Sequence, residues 1–355
     1  RAGLLRFRNQ HTRQEVEKGR TQAPYYYILP QGQHDPSERV HIANLLHEHG
    51  IYIKKLTEDT YLQNRLFHKD DWVVPLAQPF RAFVKEVLES QEFPERHYTP
   101  GGELIKPYDI TSWSLPLHKG VETVEINQPA PGLKNKLAPL ALPVRYACQA
   151  PAQGKGWMLS ARSNESYKLA FMALQQGLEV YRTQTGSKGF PAGSFWLPAP
   201  GKLAGAPDSL RVAPAVQEDS PTAETQILKL PRIALVESHF HDMDAGWTRY
   251  VFDTYGIPFT VIHPGEVAGE ALEKKYDIVV LPNERKSILM KGKYKSRSSY
   301  AVSTYPPEYT KGLGEKGMQK LLWFVENGGL VVSWGKSTAL FEGTLQLKEN
   351  GETRQ

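Results

Sequence analysis

The stretch Glu237-Ser-His-Phe-His-Asp-Met-Asp244 sets two histidines two residues apart, with two aspartates close behind them. Imidazole nitrogens and carboxylate oxygens are the usual ligands of zinc and non-haem iron. By residue type the stretch suits a two-histidine, one-carboxylate centre made by His239, His241 and Asp242. Residues i and i+2 face one side only where the chain is extended. The competing reading is a helix-entry loop. Asp244 then caps the following helix, and Asp242 adds negative charge near its N-terminus. One histidine faces a cleft and the other solvent. The loop is the preferred reading, and Trp247 and Arg249 on the helix join His239, His241 and Asp242 as candidate binding residues of that cleft.

Counting histidines removes the larger metal centres, because His263 is the only one after His241. An amidohydrolase barrel begins with His-x-His but draws further histidines from later strands, and it needs about 250 residues, more than remain. His263-Pro-Gly-Glu266 has the His-x-x-Glu spacing of a carboxypeptidase. The third ligand, a distant downstream histidine, is missing, and Pro-Gly suits a strand-to-helix turn. A class I amidotransferase needs a cysteine on a sharp strand-to-helix turn. The matching place, after Leu330-Val-Val-Ser-Trp334, holds Gly335-Lys336-Ser337 instead. No histidine follows Ser337, and the glycine spacing is not that of a phosphate-binding loop. The one cysteine, Cys148, excludes an internal disulfide framework and a Cys-based zinc site.

The elements that must position these residues are those of an α/β protein. In the last third, "RIALVES", "FTVIHP", "DIVVLPN" and "LVVSWG" read as buried strands alternating with helices at Asp244–Tyr255, 265–275 and around Met318–Val325. That alternation predicts a doubly wound parallel sheet. Such sheets bind ligands at the carboxyl ends of their strands, where the opening stretch lies.

Upstream, one plan occurs twice. Residues 1–20 are charged and helix-permissive. "YYYILP" is a strand, a helix runs from Ser37 to Gly50, and "IYIKKL" and "DWVVPL" are strands. Pro79 then opens an amphipathic helix, with Phe80, Phe83, Val84, Val87 and Leu88 on one face. "GWMLS", a helix from Asn164 to Gly177, "LEVYRTQ" and "SFWLP" repeat that plan, and both helices span the same interval to their terminal glycine. Glu38 matches Glu165 and Ala43 matches Ala170. The expected organisation is three α/β modules: 1–142 with a long irregular extension, 143–200 as a weak repeat of the first, a linker at 201–230, and 231–355. Within the extension, "KPYDITSWSLPL" is expected to pack against a module.

With 355 residues, 40% hydrophobic and 23% charged, the chain is globular rather than disordered. No apolar run approaches the roughly 20 residues of a membrane helix. A net charge of +5 does not imply nucleic acid. The basic tract "RKSILMKGKYKSR" lacks aromatic interleaving and reads as a solvated loop. The chain starts at Arg1 without a signal sequence, as a processed or excised part of something longer would.

Together, "PYYYILPQGQHDP…ANLLHEHGI", "DWVVPLAQPFRAFVKEVLESQEFP", "KPYDITSWSLPLHKGV", "PRIALVES…MDAGWTRYVFDTYGIPF", "YDIVVLP" and "PPEYTKGLGEKG…FVENGGLVV" carry a resemblance over roughly residues 20–340. They resemble the carboxyl-terminal region of bacterial M14-type zinc carboxypeptidases. The resemblance implies a secreted or periplasmic parent that releases C-terminal residues from peptide or protein substrates. Its catalytic domain would lie upstream, hold zinc, and be this region's partner in the same polypeptide. It also implies that the last module is of flavodoxin or class I amidotransferase-like type, without a nucleophile. None of the zinc ligands falls in this chain, so the implied role is accessory and inactive alone, with no cofactor of its own. Met243 to Arg249 fits the family pattern, whereas His239 and His241 do not belong to it.

Overall fold

A computed structural model describes residues 1–91, 94–106, 113–147, 156–186, 189–203, 209–210, 215–217, 221, 224–240, 242–293, 295–296, 299–300, 305–343, 347–349 and 352–354. The protein is mixed α/β with several sheets, one of them a parallel sheet of four strands. Its contacts define two units: Arg1–Ala170 with Leu178–Ile227, and Phe171–Gly177 with Leu228–Gln355.

The first unit opens with α1 (Ala2–Thr21), β1 (Tyr26–Leu29), α2 (Pro36–Glu48), β2 (Lys54–Leu56), the hairpin β3 (Thr60–Leu62) and β4 (Arg65–Phe67), β5 (Trp72–Pro75) and α3 (Arg81–Leu88). Then come α4 (Leu115–Lys119), β6 (Val124–Ile126), a 3-10 turn at Pro131–Lys136 and β7 (Leu137–Pro139). Five of these strands form an antiparallel sheet in the order β6-β1-β5-β2-β7. Alternate residues serve opposite faces. Tyr27, Leu29, Trp72 and Val74 pack with Val40, Ile42 and Leu46 of α2 and Val84 and Leu88 of α3. Ile28, Val73 and Leu56 pack on the other face with Phe67 and Leu133. With both faces covered, the strands β1 and β5 are apolar throughout instead of alternating with polar residues. The expected apolar stretch "KPYDITSWSLPL" falls partly outside the described residues, at 107–112; its end forms α4.

The next elements are β8 (Tyr146–Ala147), β9 (Gly156–Leu159), α5 (Asn164–Gln175), β10 (Tyr181–Thr183), β11 (Phe195–Leu197), β12 (Ser209–Leu210), β13 (Ala215–Gln217) and β14 (Thr225–Ile227). The second sheet is again antiparallel, in the order β13-β9-β11-β10-β14. Position for position it has the topology of the first, with β9, β10 and β11 in the places of β1, β2 and β5. The registers agree too. Leu29 stands opposite Trp72 and Leu159 opposite Phe195; Leu56 stands opposite Leu137 and Thr183 opposite Thr225. Even the polar brace recurs: Asp71, just before Trp72, accepts from Gln31 N (2.9 Å), and Ser194, just before Phe195, accepts from Ala161 N (3.2 Å). Both edge strands, β13 and β14, come from the segment whose composition suggested a linker. Edge strands bury little, so they need few large apolar residues and leave a weak trace in composition.

One carboxylate serves the starts of both long helices. Asp35 Oδ1 accepts from Ser37 N (2.8 Å) and from Ser37 Oγ (2.6 Å), and Asp35 Oδ2 accepts from Asn164 N (2.9 Å). Asn164 Nδ2 donates to Glu38 Oε1 (3.3 Å), and Lys119 Nζ donates to Glu38 Oε2 (2.6 Å). The first N–H groups of a helix have no partner within it, so Asp35 satisfies donors of α2 and α5 together. Burial alone would raise the Glu38 carboxyl. The Lys119 ammonium and the Asn164 amide outweigh it and hold the group below the usual carboxylate range.

The second unit contains β15 (Ile233–Val236), α6 (Met243–Tyr255), β16 (Thr260–Ile262), α7 (Leu272–Lys275), β17 (Ile278–Leu281), α8 (Lys286–Lys291), the strands β18 (Lys295–Ser296) and β19 (Ser299–Tyr300), α9 (Gly314–Glu326) and β20 (Leu330–Ser333). Its parallel sheet runs β16-β15-β17-β20. Apolar clusters lie on both faces. Ile233, Leu235 and Val280 meet Phe252 and Phe259, while Ala234, Val279 and Leu281 meet Val267, Leu272, Leu321 and Phe324. The single helix expected over 265–275 is instead a 3-10 turn at Pro264–Gly269 followed by the short α7. Pro264 and two glycines in six residues disfavour a continuous α-helix.

Candidate functional site

The carboxyl ends of β15 and β17, adjacent in the sheet, bring three polar side chains together. Ser238 follows β15 by two residues, Glu284 follows β17 by three, and Asp242 sits at the start of α6. Asp242 Oδ1 accepts from Ala245 N (3.0 Å) and Oδ2 from Ser238 N (2.9 Å). Asp242 is therefore the cap of α6, and Asp244, expected in that role, lies two residues further on, within the first turn. The reason is local. The helix begins at Met243, so Asp242 is the flanking residue whose side chain meets the free N–H of Ala245, three residues ahead.

The electrostatics of this cluster are unusual for a surface loop. Burial pushes the Asp242 carboxyl up, opposed by its two backbone donors, and the nearby charge of Glu237 adds to the rise. Burial also raises Glu284, helped by the charge of Asp242 and opposed by a bond from Arg285 N (2.6 Å). Ser238 Oγ lies 3.2 Å from both Glu284 Oε2 and the Phe240 carbonyl. A hydroxyl carries one proton, so it satisfies one acceptor at a time. A protonated Glu284 donates to Ser238 Oγ and frees that proton for Phe240. The group can thus hold a proton near a strand-end cleft, where carboxylic acids donate hydrogen bonds to anionic or carbonyl ligands.

A second bridge joins the turn after β20 to α6. Asn283 Nδ2 donates to Asp244 Oδ2 (2.9 Å), and Asn283 Oδ1 accepts from Lys336 N (2.8 Å). Gly335 makes this possible: its φ is +63°, and a Cβ there would stand 2.4 Å from Asn283 Oδ1. Near it, Ser337 is fully buried, and its hydroxyl lies within reach of Leu281 O (2.9 Å) and Trp334 O (2.8 Å), either of which can take its one proton, and of Ser333 Oγ (2.8 Å).

The histidine lies apart from the carboxylates. The His239 ring is sandwiched between His263 (centroids 3.9 Å apart) and Tyr309 (4.2 Å). His263 Nδ1 stands 2.8 Å from the Glu237 carbonyl, so that nitrogen carries the proton. Burial lowers the His239 pKa, and the neighbouring His263 lowers it further. Arg249 pairs with Glu237 (3.1 Å). Trp247 is exposed, with its ring set perpendicular to that of Tyr250. His241 lies outside the described residues. Of the five residues singled out from the sequence, Asp242 joins the carboxylate cluster, His239 joins the aromatic stack, Arg249 is in an ion pair, and Trp247 faces solvent. Among the described residues, no three His, Cys, Asp or Glu side chains are grouped to hold a metal ion.

Ser238, Asn283, Glu284 and Tyr309 were missed from the sequence. The signal for two of them was available. Asn283-Glu284 directly follows Leu281-Pro282, at the end of a buried strand, which is where a parallel sheet presents side chains to ligands. Tyr309 carries no such signal, because its contact with His239 spans a long loop. No protein-family model, curated protein or solved structure matches this chain.

Proposed function

We propose that the chain is the non-catalytic, carboxyl-terminal region of a secreted or periplasmic zinc metallocarboxypeptidase, and that it scaffolds or presents substrate for a zinc-bearing domain of the same polypeptide. Its last module is then a flavodoxin-like, amidotransferase-like domain without a nucleophile. The strand order 2-1-3-4 of the parallel sheet agrees with that topology. The carrying observation is Ser337. At the turn where an amidotransferase places its nucleophile, this hydroxyl is fully buried and bonded to a backbone carbonyl, which suits a structural role. The family itself rests on the sequence strings quoted above.

The test is metal analysis of the purified chain, with an assay for release of C-terminal residues from a blocked dipeptide in added zinc. The expected result is substoichiometric zinc and no release above buffer. Stoichiometric zinc together with release would overturn the proposal.

A second reading, a small-molecule site at the ends of β15 and β17, is favoured by the raised Asp242 and Glu284 carboxyls at that position. Thermal-shift screening of carboxylates and amides tests it. A hit that survives Trp247→Ala and disappears in Glu284→Gln supports it, and a hit indifferent to Glu284→Gln removes it.

A further inference from the structure

A cavity of 580 Å³ opens in the first unit, at the end of the antiparallel sheet where β1 and β2 start and β5 ends. Its size is that of sites for small organic ligands. Tyr25, Tyr26 and Tyr52 line it, with Pro75, Pro129 and Pro131. These are rigid rings that offer apolar area at little cost in conformational entropy. Tyr52 is exposed, and its backbone is clamped by the buried side chain of Gln78, which accepts from Tyr52 N (2.8 Å) and donates to Tyr52 O (3.3 Å). The same amide donates to the Pro75 carbonyl, so it is spent on the protein's own backbone. The wall made by α1 is fixed as well. α1 crosses the end of β5 at Gly19, where a Cβ would fall 2.1 Å from the Leu76 carbonyl.

The charged residues are all of one sign. Arg20, Lys54 and Lys134 line the cavity, and among the described residues no acid does. Arg20 pairs with Glu17 across an exposed turn of α1. Among the described residues, Lys54 and Lys134 have no carboxylate partner, although the neighbouring lysines are paired, Lys55 with Asp70 and Lys136 with Glu58. The Tyr26 hydroxyl likewise has no hydrogen-bond partner among the described residues, and burial raises its pKa, so it keeps its proton. The lining side chains therefore donate and hardly accept. Ammonium and guanidinium groups have no acceptor, the Gln78 amide is spent, and the tyrosine hydroxyls alone can take a proton. A sugar or a peptide brings hydroxyl or N–H donors along its whole body, and desolvating them without acceptors is costly. A ligand whose polar atoms are all acceptors, gathered in one anion on a flat apolar ring, suits both the cations and the tyrosines.

We infer that this cavity binds a small aromatic acid, Lys54 and Lys134 holding its carboxylate and Tyr26 and Tyr52 its ring. The ligand class follows from the charges, the donors and the rings of the lining. It does not depend on the reading of the chain as part of a carboxypeptidase, nor on the carboxylates at the ends of β15 and β17.

The test is isothermal titration of the full chain with naphthoate, naphthamide, galacturonate and N-acetyl-trialanine. Naphthoate is expected to bind, and naphthamide to bind about tenfold more weakly or worse, because it loses its charge-assisted bonds. Galacturonate and the peptide carry the anion on a donor-rich body and should fall behind naphthoate by at least that factor. Lys54→Gln and Lys134→Gln should each weaken naphthoate and leave naphthamide unchanged, and Tyr52→Ala should weaken both. Circular dichroism melts of each variant separate lost binding from lost folding, and Lys134 is exposed enough for its variant to fold. Equal affinity for acid and amide, stronger binding of galacturonate or the peptide, or no binding at all would overturn the inference. So would naphthoate binding that survives both lysine variants and disappears in Glu284→Gln, which would move the acid to the second unit.

Discussion

Two helix starts in this chain use the same device to opposite electrostatic effect. In the first unit, Asp35 caps α2 beside a second carboxylate, Glu38, and Lys119 reaches in to neutralise it. In the second unit, Asp242 caps α6 beside a second carboxylate, Glu284, which takes hydrogen bonds from the Arg285 backbone and Ser238. Glu38 is held below the usual carboxylate range, while Asp242 and Glu284 are pushed above it. The first arrangement ties two helices together and is stable when ionised. In the second, burial outweighs the hydrogen-bond donors and the Arg285 charge, so protonation favours the folded state. A buried carboxylate whose cation outweighs burial is an anchor, and one for which burial wins holds its proton more tightly.

The largest expected effect is on the anchor. Asp35→Ala removes acceptors from the starts of both α2 and α5, and should cost about 2–4 kcal/mol in urea denaturation. Asp242→Ala also removes a cap but relieves a raised carboxyl, so its cost should be nearer 1 kcal/mol. Equal losses would erase the contrast. Lys119→Ala should come next, at about 1–3 kcal/mol, because it leaves Glu38 buried without its cation. Adding Glu38→Gln to that variant should recover part of the loss, and a double-mutant cycle measures the coupling.

The pH dependence has opposite signs in the two units. For Glu38 the folded pKa is lowered, so its stabilisation is present above the ordinary carboxyl value and is lost as pH falls through the lowered one. For Asp242 and Glu284 the folded pKa is raised, so stability is greatest below the ordinary value and declines as pH rises through the raised ones. Hydrogen exchange should therefore show α6 better protected on mild acidification from neutral pH, with α2 and the start of α5 weakened only in stronger acid. Glu284→Gln should flatten the first response while changing stability at neutral pH by less than about 1 kcal/mol. The smallest effect is expected from Trp247→Ala, within about 0.5 kcal/mol in the same denaturation assay, since the ring is exposed. A larger loss would mean that the indole is covered in the native protein.

Much of this fold was legible in local patterns. The 3.6-residue periodicity of α3 and α9, the apolar runs of β15, β17 and β20, and the stop glycines after α2 and α5 are properties of short segments. Gly50 and Gly177 both adopt positive φ, as a helix-ending residue with no Cβ readily does. The recurrence of strand, helix, strand and strand could be read for the same reason. The site was legible only by position. The strand-end rule pointed to the loop after β15, but it gave no means of choosing Asp242 over Asp244 as cap. Nor did it pair Ser238 with Glu284, 46 residues away in sequence.

The sequence by itself determined where the main helices and the buried central strands form, that one module's plan is used twice, and which loop lies at a ligand-prone strand end. These follow from periodicity, capping chemistry and glycine placement, all set by neighbours a few residues apart. Tertiary structure alone decided that weakly apolar segments at 215–217 and 225–227 complete the second sheet, that Lys119 neutralises Glu38, that Asp242 and Glu284 share a site where burial outweighs their donors, and that a tyrosine-lined, cationic cavity opens beside β2. Each depends on partners far apart in the chain, and the charge a group carries in the folded protein depends on what long-range packing places beside it.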